Sequence, residues 1–147
     1  MSPIEQRIAE VSTFWRSLSE DELQRRPSPN KWSKKEILGH LIDSAQTNIR
    51  RVVVAQHQPG AHIVYEQNAW VQAADYQTYP SNELLQLWVL LNRHFARLAT
   101  QVPTAQLSSL INWGRDKPEL VSLGLVIEDY LTHLDHHLGQ LYHTGSV

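Results

Sequence analysis

The sequence contains no cysteine. That absence excludes disulfides, a thiolate nucleophile of the chain's own and every cysteine-based zinc site. A transition metal held here must therefore sit on His, Asp or Glu. A basic excess is also lacking: 13 Lys and Arg stand against 15 Asp and Glu, a formal net charge of -2. This balance gives no electrostatic footing for nucleic acid or an anionic membrane. No apolar run approaches the roughly 20 residues that span a bilayer. The N-terminal "MSPIEQRIAEVSTFW" has no signal-peptide core and starts like an amphipathic helix. A cytoplasmic protein with neither nucleic acid nor membrane as partner is expected. Strand-like alternation, a Gly-rich phosphate loop, a GxSxG elbow and an HExxH motif are all missing.

What is present is helical periodicity. A length of 147 residues suits one domain, 1–147, with a sizeable core. Ile4, Ile8, Val11, Trp15 and Leu18 recur at spacings of three and four, and the turn-rich "RRPSPNK" follows. A second helix opens at "SKKE", where Ser33 caps and Glu36 completes a capping box. Its apolar stripe runs from Ile37 to Val53 and stops near "QHQPG". A third begins after Pro80, with Ser81 or Asn82 as cap, and ends at Pro103. The fourth spans about Ser122 to Tyr142. Four such patterns predict an all-α four-helix bundle.

Two long connections, residues 58 to 80 and 104 to 121, exceed what antiparallel neighbours need. A link as long as the first can return along the bundle and set the second and third helices parallel. Its middle, "YEQNAWVQAADY", reads as a packed segment with a short helix of its own. Long ordered links in a small domain often rim a functional site.

The densest chemistry lies in "THLDHHLGQL", where His133, His136 and His137 occupy five positions. Residues four apart share a helix face, so His133 and His137 can meet one ion. The same spacing also serves two inert histidines edging a core. His136 projects away from the apolar stripe, towards solvent. A bundle site takes its further ligand from another helix, and His40, on the flank of the second stripe, supplies the candidate. Flank positions suit a cleft mouth. Three neutral imidazoles would leave the ion its charge and an open position, the arrangement of catalytic zinc sites. Zinc and nickel lead this expectation, with iron, manganese and cobalt also accepting nitrogen ligands. His57, His62, His94 and His143 read as structural or solvated.

Asp43 and Asp129, one turn from His40 and His133, are candidates to orient an imidazole through its second nitrogen, or are solvated helix acids. Ser44, Asn48 and Arg51 form a polar strip below His40 that either lines a substrate cleft or is a wet helix face. Tyr130 either presents its hydroxyl to the site or packs in the core with that hydroxyl bonded.

"KWSKKEILGHLIDS" followed by "DYLTHLDHHLGQL", with "YEQNAWV" between, resembles the DinB-like superfamily, which includes YfiT-like metal-dependent hydrolases. The likeness spans most of the chain. It implies an up-down-down-up four-helix bundle and a metal triad of His40, His133 and His137. It also implies either transfer from a low-molecular-weight thiol or hydrolysis, acting on a small-molecule substrate, and frequent homodimers. In both chemistries a divalent ion activates the nucleophile. With no cysteine in the chain, a thiol would arrive with a cosubstrate. The alternative is a non-catalytic metal-binding or dimeric stress-related bundle.

Overall fold

The computed structural model of the chain describes residues 2–143 and is mostly helical. Helix α1, Pro3–Arg16, begins where Ser2 accepts from the Glu5 amide and Pro3 takes the first turn. It turns Ile8, Val11 and Trp15 inward. A short α2, Glu20–Gln24, follows, capped by a Ser19–Glu22 box. Helix α2 has no counterpart in the sequence pattern, because five residues with one buried apolar side chain, Leu23, carry no periodicity.

Helix α3, Lys34–His57, is the backbone of the site. Its capping box forms as expected: Ser33 Oγ accepts from the Glu36 amide, and Glu36 Oε1 accepts from the Ser33 amide. Both groups are shared with partners outside the helix. Arg26 grips Glu36 bidentately at 2.8 and 2.9 Å, and Ser33 Oγ donates to Gln77 Oε1 at 2.6 Å. The start of α3 is thereby tied to the long connection that leads into α5.

That connection carries α4, Gln67–Ala74, then a 3-10 turn, Tyr76–Thr78. The expected short helix is present. Asp75 between them adopts φ 50°, the left-handed conformation that a short polar side chain tolerates. Helix α5 runs Ser81–Gln101, but neither Ser81 nor Asn82 caps it. Pro80 holds the cap position, and the Ser81 hydroxyl instead donates to Glu20, which also takes the Lys35 ammonium.

The second long connection corrects the expectation of no strands. It forms an antiparallel ribbon of β1, Leu110–Asn112, and β2, Leu120–Ser122, with Ile111 opposite Val121. Three-residue strands are too short to display period two. Ser122 ends the ribbon and its Oγ accepts from the Leu125 amide, so α6, Leu123–His143, starts at once.

Helix α3 packs chiefly on α5 and α6, and α1 lies against the same two helices. One apolar core joins them, with Leu38, Leu41, Leu84, Trp88, Leu134 and Leu141 at its centre. Among the described residues no helix is long and apolar enough to cross a membrane.

Candidate metal centre

Helix α3 delivers His40 and α6 delivers His133 and His137 to one point. One ring nitrogen from each lies within 4.8 Å of the others. Ring centroids are 4.5 Å apart for His133–His137, 4.6 Å for His40–His137 and 5.5 Å for His40–His133. Two metal–nitrogen bonds of about 2.1 Å reach about 4.2 Å end to end, so side-chain rotation is enough to close such a set on one ion.

The burial of His40 differs from the flank position read from the sequence: it is 0 % exposed. Helix projection gives a direction, not what covers it. Here Trp32, at the turn before α3, lays its ring 5.0 Å from the imidazole, and the α6 histidines close the other side. Both His40 nitrogens are buried without a hydrogen-bond partner. Leaving two such nitrogens unsatisfied is costly, and coordination satisfies one of them directly. Burial, then the neighbouring His137 and His133, pushes His40 down to about 3. His133 is pushed to about 4, again mainly by burial, against a small opposing pull from Asp129. His137 is lowered by burial, with Gln140 opposing. All three are neutral at pH 7, the form that binds metal.

His137 Nδ1 lies 2.8 Å from Gln140 Oε1. With an amide oxygen as acceptor, Nδ1 carries the proton and Nε2 keeps its lone pair free. Gln140 was missed as a site residue, although its place three residues after His137 puts it on the same helix face. His136 is exposed, as expected.

The candidate orienting carboxylates do not hold imidazoles. Asp43 is buried, and its Oδ1 accepts from the Tyr76 hydroxyl rather than from His40. Burial raises its carboxyl to about 6, with the Tyr76 bond opposing. Asp129 is exposed and acts on His133 only through space. The Tyr130 hydroxyl donates to Asn92 Oδ1 in the core.

The polar strip lines a cleft. Ser44, Asn48 and Arg51 border a space of about 630 Å³ that reaches His133 and is walled by Tyr65, Trp113 and the charged 115–119 turn. Asn48 donates to Ser44, and Arg51 donates to the Ile63 carbonyl and to Asn48 while stacking over Trp113. A second cleft, about 660 Å³, reaches His137 past Trp32, Asn68, Gln140 and His143. Gln67, the first residue of α4, borders both. The imidazole trio thus stands between two approaches. Trp32, Gln67 and the second cleft depend on contacts distant in sequence, which periodicity does not register.

A family model described as the DinB superfamily matches residues 4–141. YfiT from Bacillus subtilis, described as a probable metal-dependent hydrolase with an unusual four-helix bundle topology, superposes with a TM-score of 0.84 at 19% identity. That match covers 95% of this chain and 79% of YfiT. YjoA, a DinB-like protein from Bacillus subtilis, superposes with a TM-score of 0.61 at 17% identity, over 92% of this chain and 81% of that one. No curated protein matches the chain. At these identities the structural likeness establishes a shared fold.

Proposed function

The chain belongs to the DinB superfamily, and from that membership and the imidazole geometry we propose that it is a metal-dependent enzyme acting on a small molecule. His40, His133 and His137 hold one divalent ion, with zinc or nickel the favoured occupants. The observation that carries this reading is the pair of partnerless nitrogens on fully buried His40, facing two further neutral imidazoles. A divalent ion bound there supplies Lewis acidity, which brings the pKa of a thiol or a water towards neutrality. The chain's own groups do the rest. Gln140 fixes the His137 tautomer, Trp32 excludes water from His40, and Ser44, Asn48 and Arg51 orient a ligand in the His133 cleft.

Of the two chemistries, transfer from a low-molecular-weight thiol fits better than hydrolysis. One cleft reaches His133 and the other His137, and a hydrolase needs only one besides water. Hydrolysis, the activity in the description of YfiT, is the second reading. The proposal extends to a cytoplasmic homodimer and to an up-down-down-up order of the four long helices, for which the α3–α5 connection leaves length enough.

The test is a turnover assay on metal-loaded protein with electrophiles and a panel of thiols, beside esters and amides without thiol. Thiol-dependent turnover that His40→Ala abolishes supports transfer, and thiol-independent cleavage moves the protein to hydrolysis. Elemental analysis tests the ligands: each of His40→Ala, His133→Ala and His137→Ala should lose the metal, and His136→Ala should keep it. Full occupancy in His137→Ala would reject the set.

A further inference from the structure

One tyrosine packs along the face of α3 next to His40. Its ring lies over Gly39, where a Cβ would stand 2.1 Å from Tyr76 Cδ2 and 2.3 Å from Cγ. Only glycine leaves room for that ring. The Tyr76 hydroxyl donates to Asp43 Oδ1 at 2.5 Å. Residues 39 and 43 lie one turn apart on a single face of α3, next to His40, so the ring and the hydroxyl are two anchors for this turn. Tyr76 is 4% exposed and comes from the 3-10 turn that follows α4.

Asp43 has a second property. Its Oδ2 is buried without a partner. Among the described residues the buried carboxylates are Glu36 and Asp43. Glu36 is neutralised by Arg26. Asp43 has the Tyr76 hydroxyl, which satisfies one oxygen and brings no charge. A buried carboxylate with neither a cation nor a full set of donors calls for a compensating positive charge. Residues three apart on a helix place their Cβ atoms about 5–6 Å apart, so this carboxylate and the His40 imidazole leave neighbouring points of α3. Three neutral imidazoles do nothing to reduce the charge of a divalent ion. A nearby buried anion does, and low polarity strengthens the attraction.

We infer that Tyr76 and Asp43 form a positioning and counter-charge pair for the metal centre: Tyr76 sets the angle at which α3 presents His40, and Asp43 balances the ion. This inference rests on the metal reading above.

Two substitutions separate the roles. Asp43→Asn keeps shape and an acceptor for Tyr76 but removes the charge. Tyr76→Phe keeps the ring on Gly39 and the carboxyl group of Asp43 but removes the hydroxyl bond. Cobalt(II) is the probe, followed by its d–d absorption and by titration against a chromophoric chelator. Asp43→Asn should weaken cobalt binding about 10- to 100-fold with an unchanged d–d spectrum, because the ligands stay in place. Tyr76→Phe should alter the spectrum, because the turn that bears His40 loses one of its two anchors. Gly39→Ala, which drives the ring away, should alter it in the same way. If Gly39→Ala does not fold, Tyr76→Phe decides alone. An Asp43→Asn protein that binds cobalt within twofold of wild type would overturn the counter-charge role. An unchanged spectrum in Tyr76→Phe would overturn the positioning role. Wild-type protein that binds no cobalt, or binding that survives His137→Ala, would sink the metal reading itself.

Discussion

Stripped of metal, the protein should lose stability when pH falls from 6.5 to 5, well above the range of ordinary carboxylates. His40 and His133 have an ordinary value of 6.5 and are held at about 3 and about 4 in the fold. Across that window the unfolded chain takes up protons on both imidazoles and the folded chain does not. Stability therefore falls as pH falls, by about 1.4 kcal/mol per group for each pH unit of full separation. For His40 this amounts to about 2 kcal/mol over the window, and for the more accessible His133 somewhat less. Asp43 opposes them. Its carboxyl is raised from 3.8 to about 6, so the fold keeps a proton that the unfolded chain releases and gains about 1 kcal/mol as pH drops to 5. The acids in exposed pairs, such as Glu5 and Glu20, are lowered and act only below this window. The net loss is about 2 kcal/mol, or about 1 M in the urea midpoint for a slope near 2 kcal/mol per molar. Urea unfolding followed by circular dichroism, in chelator at both pH values, measures it. His40→Leu should reduce the pH dependence substantially, leaving what His133 and His137 contribute. Zinc at a hundred times its Kd should add about 2.7 kcal/mol at pH 6.5. A wild-type apo midpoint that is equal at the two pH values, or a His40→Leu midpoint that drops as far as wild type, would refute the claim that burial holds His40 neutral.

Two further outcomes follow from local geometry. Gln140→Ala removes the acceptor that fixes the His137 tautomer, and should weaken zinc binding about 10- to 100-fold in a chelator competition with little change in melting temperature. Ser33→Ala breaks the α3 capping box and the bond to Gln77. It should cost about 1–2 kcal/mol in urea unfolding, while zinc affinity of the folded protein stays within a fewfold of wild type.

The parts of the fold that were legible in the sequence are those written locally. The α3 capping box lies within four residues, and the stripes of α1, α3, α5 and α6 repeat at helical spacing, so each declares itself without knowledge of the rest. The α4 segment in the long link was legible from its aromatic residues, which mark it as packed. Helix α2 and the β1–β2 ribbon were not, because five and three residues are too few to show a period. At the site, His133 and His137 are a local pair, and His40 joined them as a candidate through its flank position on a second helix and then through family likeness. The full burial of His40 depends on Trp32 and on α6, and the true partner of Asp43 is Tyr76, 33 residues away. Such pairings are set by tertiary packing and leave no mark on either local pattern. Gln140 was within reach, since it sits one turn beyond His137.

Helix α4 buries a single side chain, Val71, yet its first residue borders both clefts. The wall between the two approaches is therefore attached to the core at few points, while the imidazoles stand on the two helices that make up much of that core. Residues 67 and 68 can be varied with little penalty to folding, and such changes would reshape the approaches to the trio while leaving its donors untouched. For a laboratory library, and for natural divergence alike, ligand choice and metal affinity are then separable traits, carried by different segments of one short chain.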